Sequence, residues 1–343
     1  MFLLDRACGG AYTVGFLTLL GDLRAEQGVL RGWKCDCMVP GASRGRDGPT
    51  GLSGETKMAP QEISVVWLQC GGCTGCTVSL ANSAFPSLRK VIVDPIIPGF
   101  HISLVYHPTL MAGQGDQVTD VVKALPKGGF VLAVEGSIPE NEAFCMLGDG
   151  AGKEVSAMKQ FLALAEKASL ILSVGTCASF GGIPAGAPNP GRYMPVSAIA
   201  GKNGVKTPIV NVPGCPPHPN WMTTAIAEFL LAGGVQGMKL DALGRPVSVY
   251  GHLIHENCPR RAFFDEGKFA KKPGDPECLF KVGCKGPITY ADCPLREWNN
   301  GQNWCVKAGA PCQGCTQPEF IDQTTPIYVG LPEDALPKIG ERK

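Results

Sequence analysis

The chain has 343 residues and a net charge of +1, with 44% hydrophobic and 18% charged residues. This balance allows a sizeable core and gives no electrostatic case for binding nucleic acid or an acidic membrane surface. The 16 cysteines are unusual, because disulfide scaffolds are generally short secreted chains. We therefore favour metal ligation over disulfides.

Residues 1–57 differ from the rest and are predicted to be a leader or a disordered extension. They contain a short apolar patch, AYTVGFLTLLG, and a tract rich in Gly, Arg and Ser. Cys8, Cys35 and Cys37 carry little weight as a metal site, because no second ligand pair lies near them. We expect the globular part to begin at Met58.

Apolar strands alternate with helices from about residue 62. Strands are predicted at 63–69, 90–96, 128–136, 169–175 and 207–214, and helices at 77–85, 153–168 and 218–233. The continuously apolar strands indicate a parallel sheet covered on both faces. The alternation stops near residue 245, and the cysteine-rich segment 250–325 is predicted to fold around inorganic material. No run of about 20 apolar residues predicts a membrane-spanning helix.

Cysteines follow three of these strands. The turn QCGGCTGC carries Cys70, Cys73 and Cys76, and the later strands lead to Cys177 and Cys215. Because parallel strands gather their carboxyl ends at one edge, we expect all but Cys70 to meet there. Four thiolates hold either zinc or a 4Fe–4S cluster. The alternative is that Cys177 and Cys215 are small core residues.

The second half contains two more sets of four ligands. One set is His255, Cys258, Cys278 and Cys284. The other set is Cys293, Cys305, Cys312 and Cys315. Zinc ribbons are the structural alternative, and spacing alone does not choose iron over zinc. Three sets in one chain are nevertheless more typical of an electron relay than of structural clips.

From about 62 to 330 the chain resembles the small, electron-transferring subunit of nickel–iron hydrogenases. The motifs that carry the resemblance are WLQ…CTGC, VEGSIP, GTCASFGGIPA, NVPGCPPHP, HENCP, CLFKVGCKGP and NWC…PCQGC. The resemblance implies an α/β fold in which a flavodoxin-like parallel sheet domain, 58–240, precedes an irregular iron–sulfur cluster-binding domain, 241–343.

The resemblance also implies three 4Fe–4S clusters. The proximal cluster would take Cys73, Cys76, Cys177 and Cys215. The distal cluster would take His255, Cys258, Cys278 and Cys284. The medial cluster would take Cys293, Cys305, Cys312 and Cys315. Many relatives have Pro at the position of Cys305 and a three-iron medial cluster, so Cys305 predicts the four-cysteine type of the nickel–iron–selenium branch. Gly75 and Gly182 stand where oxygen-tolerant relatives have extra cysteines, which predicts ordinary oxygen sensitivity.

Other polar residues receive supporting roles. We expect Cys70 to be a spectator, Cys145 a packed thiol, and Glu135 a structural or interface carboxylate. His218 is predicted to hydrogen-bond to its turn. The remaining histidines predicted not to be ligands are His101, His107 and His252.

The implied function is that of an oxidoreductase acting on H2 whose active centre lies on a partner large subunit. This chain would relay electrons from that subunit to an external electron carrier, as one half of a heterodimer in hydrogen metabolism. The alternatives are a cluster-bearing subunit of another redox complex, such as a respiratory quinone reductase, and a zinc-stabilised binding module. Because we find no twin-arginine leader or hydrophobic C-terminal anchor, we expect a cytoplasmic location, with the periplasm as the alternative.

Overall fold

The structure, a computed structural model, describes residues 61–149 and 154–332. These residues belong to one compact unit, Lys57–Lys343. The predictions for 1–57, including Cys8, Cys35 and Cys37, lie outside the described residues. The boundary between 240 and 241 stays a prediction. Within the described ranges, no helix has the length and apolar character needed to cross a bilayer.

The strands and the longer helices of the described chain all lie before residue 232, and only short helical turns follow. The strands are β1 Gln61–Gln69, β2 Pro95–Ile97, β3 Phe100–Tyr106, β4 Phe130–Glu135, β5 Ile138–Pro139, β6 Met146–Asp149, β7 Glu154–Ser156, β8 Leu170–Val174, β9 Tyr193–Met194 and β10 Ile209–Val212. The α-helices are α1 Gly75–Ala81, α2 Leu88–Val93, α3 Asp116–Lys123, α4 Ala157–Ala165, α5 Gly175–Phe180, α6 Gly182–Ala185, α7 Val196–Lys202, α8 Pro219–Leu231, α9 Val247–Tyr250, α10 Arg261–Asp265 and α11 Cys293–Arg296. Short 3₁₀ turns lie at Glu142–Phe144, Val235–Gly237, Leu279–Val282 and Gly286–Ile288.

The main sheet has the order β10-β8-β4-β1-β3-β2. Its first five strands are parallel, and β2 is added antiparallel at the edge beside β3. Numbered by chain position, the parallel strands have the order 2-1-3-4-5, which is the flavodoxin-like arrangement. The predicted α/β fold is therefore confirmed.

Both faces of this sheet are buried. Successive side chains of a strand point to opposite faces, so neighbouring residues of β1 pack in different cores. Val65 packs in one core with Trp221 of α8 and Trp304 of the C-terminal segment. Val66 packs in the other core with Phe161 of α4. The irregular C-terminal segment thus helps to cover one face of the sheet and is held close to the strand ends.

The predicted strand at 90–96 is wrong. A helix, α2, occupies most of it, and β2 begins only at Pro95. Ser87 caps this helix, since its hydroxyl accepts the Lys90 N–H at 3.3 Å. Its β-branched residues resemble a strand in sequence, but only Val91 is buried. Strand β3, which lies between β1 and the edge strand β2, was not predicted, because polar residues interrupt its apolar run.

Candidate metal centres

The carboxyl ends of four parallel strands lie side by side. Gln69 pairs with Glu135, Glu135 with Val174, and Val174 with Val212. Cysteines follow three of these strand ends: Cys73 and Cys76 where α1 begins, Cys177 in α5, and Cys215 after β10. The register of the sheet therefore delivers the first predicted set of thiols to one edge.

These four thiols interact electrostatically with one another. Burial raises the pKa of Cys76, which is raised further by Glu135 and then by Cys177, Cys215 and Cys73. Burial, followed by Cys215, raises the pKa of Cys177 to about 12. Thiols in such surroundings ionise only if a cation compensates their charge, which a bound metal centre supplies. The donors present thus fit a metal-bound group.

Two glycines make room beside these sulfur atoms. Gly175 has φ +86°, and a Cβ there would lie 2.5 Å from the Cys76 sulfur. Gly182 has φ +53°, and its Cβ would lie 2.9 Å from the Cys177 sulfur. A side chain at either position would strain the backbone and collide with the thiol.

Glu135 is a buried carboxylate that organises the start of α1. Its Oε1 accepts the backbone N–H groups of Cys76, at 3.0 Å, and Thr77, at 3.1 Å. Its Oε2 accepts the Trp67 indole N–H at 2.9 Å and the Thr77 hydroxyl at 2.5 Å. This network fixes the loop that carries Cys76 and bears out the structural role expected for Glu135.

The second set lies in the C-terminal segment. The pKa of Cys284 is raised to about 11, first by burial and, among the thiols, by Cys258 and then Cys278. The His255 ring packs on Phe264 with ring centroids 4.5 Å apart. Its Nε2 is buried and has no hydrogen-bond partner among the described residues. Burial, followed by the charge of Arg261, lowers the pKa of His255 to about 4. A neutral ring with an unused nitrogen fits a metal ligand.

The third set also comes together. Burial first raises the pKa of Cys293, and Cys315 and Cys305 raise it further. The Trp298 side chain hydrogen-bonds to the Cys293 thiol and acts in the opposite direction. Burial raises the pKa of Cys312, which is raised further by Cys284 of the second set and then by Cys315 and Cys293 of its own set. Hydrogen bonds to ligand sulfurs tune metal clusters, so Trp298 is a functional candidate that sequence patterns do not reveal.

Adjacent sets are joined by direct contacts. The Thr176 hydroxyl donates to the carbonyl of Cys315 and accepts the Gly214 N–H at 2.8 Å. It therefore connects the first set to the third. The Lys285 N–H donates to the carbonyl of Cys312 at 2.7 Å, and Lys285 directly follows Cys284. This contact connects the third set to the second.

Two cysteines lie apart from the three sets. The thiol of Cys70 interacts with Cys145 rather than with the first set, and its amide donates to the Glu135 carbonyl at 2.7 Å. Burial raises the pKa of both thiols. Their placement agrees with the expected spectator role of Cys70 and packing role of Cys145.

The remaining histidines have identifiable contacts. His218 accepts the Asn220 N–H at 3.0 Å at the start of α8, as predicted. His107 stacks on Trp67 with centroids 5.2 Å apart. His252 is exposed and lies 3.4 Å from Glu256. His101 lies in β3, paired with the edge of the sheet.

The donor geometry bears on the alternatives. All 13 cysteines in the described ranges are free, so none of them forms a disulfide there. Within the same ranges, no group of three or more His, Cys, Asp or Glu side chains is arranged to hold a single metal ion.

Two family descriptions match the chain. Residues 250–328 match the C-terminal region of the NiFe/NiFeSe hydrogenase small subunit, and residues 73–229 match the 20 Kd subunit of NADH ubiquinone oxidoreductase. The chain is 39% identical over 283 residues to the periplasmic [NiFeSe] hydrogenase small subunit of Desulfomicrobium baculatum, covering 78% of this chain and 88% of the relative. It is 37% identical over 286 residues to the quinone-reactive Ni/Fe-hydrogenase small chain of Wolinella succinogenes, covering 81% and 77%.

The chain belongs to the NiFe/NiFeSe hydrogenase small-subunit family. The solved [NiFeSe] hydrogenase of Desulfovibrio vulgaris Hildenborough agrees, with a TM-score of 0.74 and 40% identity over 79% of this chain and 98% of that one. The chain is thus the small subunit of an oxidoreductase acting on H2, it pairs with a large subunit, and its family implies iron–sulfur clusters. A respiratory quinone reductase subunit would account for the match over 73–229 but not for the match over 250–328.

Proposed function

We propose that this small subunit relays electrons between the H2-activating centre of its large subunit and an external carrier through three 4Fe–4S clusters. The proximal site is Cys73, Cys76, Cys177 and Cys215. The medial site is Cys293, Cys305, Cys312 and Cys315. The distal site is His255, Cys258, Cys278 and Cys284. The observation that carries the proposal is the register of the strand ends, which gathers the proximal thiols from three distant segments.

The contacts between sites support their order. The proximal site touches the medial site through Thr176, and the medial site touches the distal site through Lys285. When bound, the clusters supply one-electron redox chemistry. The chain's own residues set the spacing between sites, exclude water around the buried thiols and donate hydrogen bonds to the sulfurs.

The exposed residues around the proximal site support the proposal that this site faces the large subunit. Cys73 is exposed at the strand ends. Beside it in the site, the amide of Ile183 hydrogen-bonds to the Cys177 sulfur while 57% of the Ile183 residue surface is exposed. An apolar side chain beside a metal ligand is better covered by a partner than by water.

Metal analysis of the heterodimer, purified without oxygen, tests the proposal. We expect about twelve irons in the small subunit, four for each cluster, together with the broad visible absorbance of iron–sulfur proteins. Cys305→Pro should lose about one iron and give a three-iron signal in electron paramagnetic resonance. Cys145→Ser is the matched control and should keep the full iron content. Zinc in place of iron, or an iron count near zero, would contradict the proposal.

We also propose a periplasmic location in place of the cytoplasmic one expected from the sequence. The support is that the Desulfomicrobium relative is named periplasmic. Osmotic-shock fractionation of the native host tests this. The hydrogenase should be released with periplasmic markers, and its retention with cytoplasmic markers would restore the original expectation.

A further inference from the structure

Lys285 is a buried lysine without a carboxylate partner in the described chain. Only 3% of its surface is exposed. Its ammonium donates one hydrogen bond, to the Val329 carbonyl at 2.6 Å. No Asp or Glu among the described residues forms an ion pair with it. Lysine is almost never fully buried without a compensating charge, because removing an ammonium from water is costly.

Burial lowers the pKa of the Lys285 ammonium, and two sulfurs act in the opposite direction and favour its charged form. They belong to Cys284, a proposed distal ligand, and to Cys312, a proposed medial ligand. The backbone keeps this arrangement in place, since the Lys285 N–H binds the Cys312 carbonyl and the Thr289 hydroxyl binds the Lys285 carbonyl at 2.6 Å. The buried Lys285 side chain therefore extends from the backbone segment that joins the two sites, and the groups bound at these sites would be anionic.

We propose that Lys285 is the internal counterion of the medial and distal clusters and that its positive charge raises both of their reduction potentials. This proposal rests on the proposed function, which places a cluster on either side of Lys285. Each reduction adds one negative charge to a cluster, and a fixed cation nearby stabilises the reduced form more than the oxidised form. Lys285 contacts no reacting atom and is therefore not a catalytic residue. Its role is to place a positive charge near the ligands of the two clusters.

Redox titration of the heterodimer, monitored by electron paramagnetic resonance, tests this role. In Lys285→Met we expect the medial and distal potentials to fall by the equivalent of a tenfold change in the one-electron equilibrium, about 59 mV. The proximal potential should not move, because Lys285 does not contact that site. Lys285→Arg should restore values near those of the wild type, since it keeps the charge.

Lys281→Met is the matched control. Lys281 is exposed and lies over the Phe269 ring at 4.8 Å, four residues from Lys285. The Lys281→Met substitution removes one positive charge from the same region, but from an exposed side chain. All three reduction potentials should therefore stay at wild-type values. If Lys285→Met loads iron poorly, Lys285→Gln gives the same readout, because it keeps a donor for the Val329 carbonyl.

Three results would overturn the role of Lys285. They are unchanged medial and distal potentials in an iron-replete Lys285→Met or Lys285→Gln protein, an equal fall at the proximal site, and an Arg variant that behaves like Met. A wild-type protein without three clusters would instead overturn the proposed function and, with it, this role. Measuring wild-type iron first therefore separates the two failures.

Discussion

At the scale of single residues, Glu135 shows how a carboxylate serves a metal site without binding it. The side chain is 3% exposed and accepts two backbone N–H groups, an indole N–H and a hydroxyl. Several hydrogen bonds to the charged form compensate for the loss of water around it. Its contribution is to hold the first turn of α1, and therefore Cys76, in place.

We predict that Glu135→Ala destabilises the protein and weakens the proximal site. It leaves buried donors on Trp67, Cys76 and Thr77 without an acceptor, and each unsatisfied group costs about 1–3 kcal/mol. Thermal unfolding of the iron-loaded heterodimer should show a clearly lower midpoint, with iron lost first from the proximal site. Glu140→Ala removes a carboxylate that pairs with Lys202 at the surface and should change little. Equal midpoints for the two variants would refute this role of Glu135.

At the scale of elements, the short turns after β8 and β10 decide where the thiols lie. Gly175 begins α5 with a left-handed backbone and leaves only enough space for the Cys76 sulfur. Gly99, in the turn between β2 and β3, has φ +88° against +86° for Gly175, but a Cβ there would meet nothing within 4 Å. Both positions therefore need a positive φ, but only at Gly175 would a Cβ collide with a sulfur atom.

This difference predicts distinct outcomes for two alanine substitutions. Both Gly175→Ala and Gly99→Ala incur a backbone cost of about 1–2 kcal/mol. Only Gly175→Ala pushes a methyl group against Cys76, so we expect its iron content to fall from about twelve to about eight. Gly99→Ala should keep its iron. Elemental analysis of both proteins measures this, and full iron content in Gly175→Ala would count against Cys76 as a ligand.

The strands that sequence predicted are those buried on both faces. β4 and β8 are buried throughout and mostly apolar, so they stand out from their surroundings. Strand β3, next to the sheet edge, is only partly buried and contains polar residues, so its composition carries little signal. In α2 the Ser87 cap outweighs the strand preference of its β-branched residues.

The candidate site divides in a similar way. The grouping of Cys177 and Cys215 was predictable, because each follows a parallel strand. The contacts of Thr176 and Lys285 were not, since each depends on segments that are distant in sequence and meet only after folding.

At the scale of the whole molecule, the exposed edge beside the proximal site is where we expect the large subunit to bind. Ile183→Asp should weaken the heterodimer, because burying a carboxylate in an apolar contact is unfavourable. Val121→Asp is the control, because Val121 is also exposed, with 50% of its surface accessible. It lies near the end of α3, which leads to the amino end of β4, whereas the cysteines follow the carboxyl ends of the strands. Co-purification of the large subunit measures both. Undiminished recovery with Ile183→Asp would place the interface elsewhere.

Thr176 has a consequence for biogenesis. Its hydroxyl forms hydrogen bonds both to the loop before Cys215 and to the backbone of Cys315. One side chain therefore joins the end of a sheet strand to the C-terminal segment. We expect the first set of thiols to reach its final arrangement only after the segment that carries Cys315 has been synthesised and has folded. Insertion of metal at the first set would then be a late event, which follows the packing of the Cys315 segment against the sheet.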